Sequence, residues 1–288
     1  MPHEPLTIRQ LLARTTPYLE EKGSASARLD AEVLLAEVLS TDRLHLYLDM
    51  DRPLDEEELA RYREFVRRRA AREPIAYILG YREFYGLPFE VDSRTLIPRP
   101  ETEGLVEAAL ACMEKITAPR VIDLGTGSGA IALTLTRERE DAQVYATDIS
   151  EGALDVARHN ALQLGVSARV TFAQGDLFAG VEGPFDVIVS NPPYVPDADR
   201  ATMQPDVRDY EPASALFAGV DGLDVIRQIV ALAPSYLREG GSLLFEIGYA
   251  QEQAVRALIE QTEGLQCVEI IPDLQRIPRI AVANYGII

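Results

Sequence analysis

Apolar residues in the first eighty positions recur at helical spacing. Leu11, Leu12 and Leu19 follow Thr7-x-x-Gln10, a pair able to close a capping box. Leu29, Val33, Leu34 and Val38 form a second stripe, and Leu59, Tyr62 and Val66 a third, with Gly23-Ser24 and Arg52-Pro53 as punctuation. Such stripes predict a small bundle of four or five helices. At Tyr81 the rhythm changes. Tyr81 to Tyr85 and Phe89 to Val91, flanking Gly86-Leu87-Pro88, predict a β-hairpin. The chain is therefore expected to divide into a helical domain over 1–80, a hairpin linker over 81–95 and a larger domain over 96–288.

In that larger part, short apolar strands alternate with amphipathic helices. Helices are expected at 101–116, 130–137, 151–164, 223–232 and 251–259, and strands at 120–124, 143–148, 169–173, 185–190, 242–247, 267–271 and 279–284. The alternation predicts an α/β fold, a doubly wound Rossmann-like sheet covered on both faces, as Val187-Ile188-Val189 suggests. Only Pro272 to Pro278 separates the last two strands, too little for a crossover helix. That makes seven strands with the last one antiparallel.

Charge narrows the function. The formal net charge is -18, and the chain is acidic on balance both before and after residue 90, which argues against duplex nucleic acid as the principal substrate. One local exception is the helix opening Asp55-Glu56-Glu57-Glu58 and carrying Arg61, Arg63, Arg67, Arg68, Arg69 and Arg72, read either as a solvated face or as a docking patch for an acidic partner. Cys112 and Cys267 are far apart, and His3, His45 and His159 are scattered, so neither a disulfide framework nor a metal site is expected; both cysteines read as reduced core thiols. No apolar tract is long enough to span a bilayer, and Met1 to Gln10 lacks a basic segment followed by an apolar run, so a soluble, cytoplasmic protein is expected.

Chemistry concentrates at the predicted strand ends. Asp123-Leu124-Gly125-Thr126-Gly127-Ser128-Gly129 lies between a strand and a helix, where glycines let backbone approach a ligand. A dinucleotide fingerprint places its last glycine one residue further on; the spacing here favours S-adenosylmethionine instead. Asp148, ending the next strand, can accept from both ribose hydroxyls. Asp176, in Gly175-Asp176-Leu177-Phe178 after the third strand, can accept from an adenine amino group while Leu177 covers the ring. Acids suit a cofactor bearing a sulfonium and an ammonium, whereas a pyrophosphate would prefer the opposite charge.

Asn191-Pro192-Pro193-Tyr194 comes directly off the fourth strand, at the same carboxyl edge. A conjugated NH₂ group attacks methyl poorly because its lone pair is delocalised, so it must be oriented. The Asn191 side-chain oxygen and the Pro192 carbonyl can accept its two N–H bonds, Pro193 stiffens the turn, and Tyr194 offers a flat ring to pack against. This catalytic trio of Asn191, Pro192 and Tyr194, with Pro193, is also the expected substrate-binding turn. It serves a glutamine amide or an adenine amino group equally well.

These residues, with Pro74 to Gly80, Phe84-Tyr85-Gly86, Leu96-Ile97-Pro98-Arg99-Pro100-Glu101-Thr102-Glu103 and Tyr210-Glu211-Pro212, resemble the HemK/PrmC family over most of the chain. The resemblance implies a class I methyltransferase domain that transfers methyl from S-adenosylmethionine to the glutamine amide of the Gly-Gly-Gln motif in peptide chain release factors. It also implies that the helical domain grips the release factor. Gly125, Thr126, Gly127, Ser128, Gly129, Asp148, Leu177 and Asn191 would then contact the cofactor. The chain departs from the pattern in Asp273 to Arg279, which lacks a glycine expected after the aspartate. The alternative substrate is N6 of adenine, against which the missing basic recognition segment weighs; a silent binding protein and an NAD-linked oxidoreductase are the other classes considered.

Overall fold

The computed structural model describes residues 6–286; His3 and the beginning of the Met1 to Gln10 segment lie outside the described residues. The chain divides into two compact units, one of Met1–Gly80 together with Gln204–Tyr210, the other of Tyr81–Met203 with Glu211–Ile288.

The first unit contains α1 (Ile8–Glu21), α2 (Ala27–Val38), α3 (Arg43–Leu48), α4 (Glu56–Ala70) and α5 (Ile75–Leu79). Thr7 and Gln10 close the capping box of α1, at 3.3 Å and 3.1 Å, and Asp55 with Glu58 does the same for α4. Ile8, Leu19, Ala31, Leu34, Leu35, Leu46 and Tyr62 fill the core. Leu29, expected in the second stripe, is instead exposed. It sits two positions from buried Ala31, about 200° round the helix, so Ala27, Ala31, Leu34, Leu35 and Val38 make the inward row. The arginines of α4 are largely engaged: Arg67 pairs with Glu64, Arg68 with Glu73, and buried Arg69 with Asp30 at 2.7 Å. Arg69 and Arg72 both reach Asp206, in the short helix Pro205–Tyr210 that belongs to this unit, and the Tyr210 hydroxyl donates to the Ala71 carbonyl.

The second unit opens with a hairpin of β1 (Tyr81–Phe84) and β2 (Leu87–Glu90). Its turn is Tyr85-Gly86, both at positive φ, rather than Gly86 to Pro88 as the sequence suggested. Two left-handed residues match the twist of the strands, leaving Leu87 and Pro88 free to pair. A short turn Pro100–Thr102 and α6 (Glu103–Met113) lead into β3 (Arg120–Leu124), α7 (Ala130–Glu138), β4 (Gln143–Asp148), α8 (Glu151–Gln163), β5 (Val170–Gln174) and β6 (Phe185–Ser190). After α9 (Pro205–Tyr210) come α10 (Asp224–Tyr236), β7 (Leu237–Glu246), α11 (Glu252–Glu260), β8 (Leu265–Pro272) and β9 (Pro278–Tyr285). Thus α6 is shorter than expected because its first turn is a separate 3₁₀ turn, while α10 runs past Leu232 through Pro234 and β7 begins five residues early at Leu237.

The seven-stranded sheet has the order β5-β4-β3-β6-β7-β9-β8, with β9 antiparallel to both neighbours. Alternate residues of each strand enter opposite layers. Val121 joins Leu105, Leu133 and Ala161 from α6, α7 and α8, whereas Ile122 and Leu124 join Ile226 and Val255 from α10 and α11. The chain reverses its winding at β3, so the strand ends of β4, β3 and β6 open one crevice. In the last hairpin, Arg276 takes the left-handed conformation (φ 65) that a glycine would adopt without strain. The Asp273 carboxylate secures the loop, accepting from the Gln275 and Ile277 amides. Among the described residues no helix is long and apolar enough to cross a membrane.

Candidate functional site

The glycine loop is shaped from below. Asp123, fully buried at the end of β3, accepts from the Thr126 hydroxyl at 2.7 Å and from the Ala132 amide at 3.2 Å, tying loop to helix. Burial pushes its carboxyl up to about 7, and its second oxygen has no partner among the described residues. The Thr126 amide donates to the Thr147 carbonyl of β4 at 2.9 Å. Gly125 and Gly127 take φ of 70 and 57, and a Cβ at either would meet nothing within 4 Å, so both turn bare backbone toward open space. Gly129 is different. A Cβ there would strike Leu133, at 2.9 Å, and crowd Ala157. This third glycine lets α7 and α8 pack closely.

Asp148 ends β4 facing the loop. Its carboxylate accepts from the Gly127 and Ser150 amides, each at 2.9 Å, and burial raises its pKa against those bonds. A carboxylate has roughly four acceptor positions, so it retains capacity for two hydroxyls. Leu177 sits in the left-handed region (φ 50), where its carbonyl accepts from the Thr147 hydroxyl at 2.7 Å. A non-glycine residue held there is constrained by its surroundings.

Among the sequence-predicted residues, Gly125, Thr126, Gly127, Ser128, Asp148, Asp176, Leu177, Asn191 and Pro193 line one cavity of about 270 Å³. Gly129, Pro192 and Tyr194 are not in its wall. Pro192 is buried, and Tyr194 packs against the layer built by α10 and α11, its carbonyl accepting from Gln251 Nε2 at 3.1 Å. Burial raises the Tyr194 phenol, with the Glu246 charge adding to the shift and Arg279 and Arg99 opposing it.

Asn191 is tied by one hydrogen bond. Its Nδ2 donates to the Thr102 hydroxyl at 3.2 Å, leaving Oδ1 as an acceptor. The cavity wall also includes residues that pattern reading passed over. Ile149, 63% exposed immediately after Asp148, gives an apolar surface beside the acids; an apolar side chain after a strand-end acid was the available signal. Thr95 to Pro98 and Pro212 to Ala215 close two further sides. Buried Glu211 clamps these segments together, accepting from the Ile97 amide at 3.2 Å and from Arg99 at 2.5 Å. Among the described residues no group of three or more His, Cys, Asp or Glu is arranged to hold a metal, and both cysteines are free.

Comparison with known proteins follows this division. Residues 10–80 match the PrmC N-terminal domain and residues 106–205 the methyltransferase small domain. A release factor glutamine methyltransferase of Geobacter sulfurreducens is 48% identical over 262 residues, covering 91% of each chain. One of Cereibacter sphaeroides is 46% identical over 273 residues, covering 95% of this chain and 96% of its own. Among solved structures, the hMettl16 catalytic domain aligns with a TM-score of 0.58 at 18% identity, over 74% of this chain and 82% of that one. A methyltransferase from Pyrococcus furiosus aligns with a TM-score of 0.51 at 20% identity, over 71% and 91%. These two likenesses show the fold alone.

Proposed function

The chain belongs to the release factor glutamine methyltransferase family, and from that premise we propose that it transfers the methyl group of S-adenosylmethionine to the side-chain amide nitrogen of the Gly-Gly-Gln glutamine in peptide chain release factors. The observation carrying this reading is the Asn191 amide in the cavity wall, whose Nδ2 donates to the Thr102 hydroxyl and leaves Oδ1 as an acceptor. An amide NH₂ needs acceptors, and a carbonyl oxygen would be repelled by them.

The cavity suits the cofactor. Gly125 and Gly127 form a cradle that any side chain would fill, Asp148 keeps acceptor positions for ribose hydroxyls, and Ile149 and Leu177 supply apolar cover for a base with Asp176 at its edge. When bound, S-adenosylmethionine supplies an electrophilic methyl on a positively charged sulfur. We assign the rest of the chemistry to the turn. Asn191 Oδ1 and the Pro192 carbonyl accept the two N–H bonds of the glutamine amide, aiming the nitrogen along the line of attack. The bound cofactor would supply the methyl from its sulfonium and leave as the neutral thioether, and the proton displaced from the nitrogen would pass to solvent. Both acceptors stabilise the positive charge that builds on the nitrogen. Tyr194 buttresses the turn from the packed layer beneath it. Site residues Gly129 and Pro193 support the shape of loop and turn.

We assign the grip on the release factor to the helical unit, and place the reaction in the cytoplasm with translation. The net charge of -18 weighs against stable nucleic-acid binding. A direct test is a competition assay with methyl-labelled S-adenosylmethionine, release factor and adenine-containing DNA together. Label is expected in the release factor and lost when its Gly-Gly-Gln glutamine is replaced by alanine. Label in the DNA, or undiminished label in the replaced factor, would refute the substrate assignment.

A further inference from the structure

The strand register brings an unassigned acid beside the turn. β6 runs parallel to β7 with Ser190 opposite Phe245, so the next residues, Asn191 just past the end of β6 and Glu246 the last of β7, stand in neighbouring register positions at the sheet's carboxyl edge. Glu246 is 3% exposed, and its Oε1 has no partner among the described residues. Between the two stands Thr102, also 3% exposed, at the end of the Pro100–Thr102 turn. Its hydroxyl accepts from Asn191 Nδ2 at 3.2 Å and interacts with the Glu246 carboxyl in the sense that favours the ionised acid.

A hydroxyl has one proton to give. If Thr102 gives it to Glu246, its oxygen is left to accept from Asn191 Nδ2, and the Asn191 oxygen must face the other way. We propose that Glu246 and Thr102 are positioning residues for the methyl transfer, a relay in which the ionised Glu246 sets the Thr102 hydroxyl and Thr102 holds Asn191 with its oxygen toward the substrate nitrogen. This rests on the assignment of Asn191 Oδ1 as the acceptor of the glutamine amide.

A protonated Glu246 reverses the relay. It donates to Thr102, Thr102 then donates onward, and the Asn191 amide turns its own N–H groups to a substrate that also carries N–H groups. The environment makes this reversal accessible near neutrality. Burial pushes Glu246 up to about 7, with Thr102, Arg279 and Arg99 drawing it down and Glu101 adding to the rise; Tyr194 faces it from the turn. Turnover should therefore climb as pH rises through about 7.

The test compares Thr102→Val, Thr102→Ser and Glu246→Gln with wild type, measuring kcat and KM on the release factor, S-adenosylmethionine Kd by calorimetry, and the pH profile of kcat. Thr102→Val and Glu246→Gln should lower kcat by about 10–100-fold, the scale of a misplaced reacting group, while Kd and KM stay essentially unchanged. Thr102→Ser, which restores the hydroxyl, should recover most of the loss, and Glu246→Gln should flatten the acid limb of the profile. Wild-type kcat in Thr102→Val, failure of Thr102→Ser to recover, or parallel losses in kcat and cofactor Kd would overturn the relay while leaving the substrate assignment intact. A wild-type enzyme that does not methylate the Gly-Gly-Gln glutamine would remove the substrate assignment itself, and the relay with it.

Discussion

Asp123 and Glu246 are both buried carboxyls at strand ends of one sheet, both pushed up to about 7 by burial, and both with one oxygen unpartnered among the described residues. They differ in what they hold. Asp123 is bound to Thr126 and Ala132, within nine residues of itself, so it fixes the backbone of the glycine loop. Glu246 neighbours Asn191 in strand register and is drawn down by Thr102, whose hydroxyl meets Asn191 across 89 positions of sequence, so it acts on a side chain. A raised pKa thus reports burial in both places and a role in neither. The cofactor end of the site is a backbone device, and the nitrogen-holding end is a side-chain device.

Four measurements sharpen or break that contrast. Asn191→Ala should have the largest effect, lowering kcat by about 10²–10³-fold, the usual range for one preorganised polar partner, with release-factor binding far less affected. Equal losses in release-factor binding would instead make Asn191 a docking residue. Asp148→Ala should do the reverse. Losing charge-assisted bonds worth about 1.5–3 kcal/mol should weaken cofactor Kd by about 10–100-fold, while kcat at saturating cofactor changes only modestly. Gly127→Ala should cost about 1–2 kcal/mol of stability from left-handed strain, read by urea unfolding, and should also weaken the cofactor because the new methyl enters the cradle; unaltered affinity would show that the cradle does not face the ligand.

The smallest effect concerns pH and the ligand-free protein. Asp123 and Glu246 have folded pKa values near 7 against ordinary carboxylate values when unfolded, so between about pH 5 and 7 the native state binds more protons than the unfolded chain. Stability should consequently fall as pH rises through that window, lowering Tm by several degrees, and Glu246→Gln should flatten the fall. A Tm that rises steadily from pH 5 to 8 would contradict the burial of these charges. Carboxylates drawn below their ordinary values, such as Asp141 at about 2, lose their contribution only at lower pH.

The same contrast governs what could be read from sequence. Strands β3, β4 and β6 were legible to the residue because each is a short apolar run bounded by a loop signal, and Gly125, Gly127, Asp148 and Asn191 follow directly from those strand ends. Gly129 was legible as a glycine but not in its purpose, because the clash of its Cβ with Leu133 depends on how α7 packs. Leu29 was misplaced since its stripe admits two helical phases, and only the buried small residues Ala27 and Ala31 settle between them. The Arg-rich α4 looked basic in sequence, but Glu64, Glu73, Asp30 and Asp206 pair with Arg67, Arg68, Arg69 and Arg72, leaving Arg61 and Arg63 exposed. Glu246 carried no local signal, and Thr102 only its place in the Leu96 to Glu103 run. Their meaning arises only when β6 and β7 run side by side.

The central claim is that this site methylates a conjugated amide nitrogen of a protein, and tandem mass spectrometry of a release factor treated with enzyme and S-adenosylmethionine addresses it most directly. The account predicts a single added methyl, localised by fragmentation to the side-chain nitrogen of the Gly-Gly-Gln glutamine and absent with Asn191→Ala. A methyl on any other residue, or an unmodified factor alongside methylated adenine in added DNA, would contradict it.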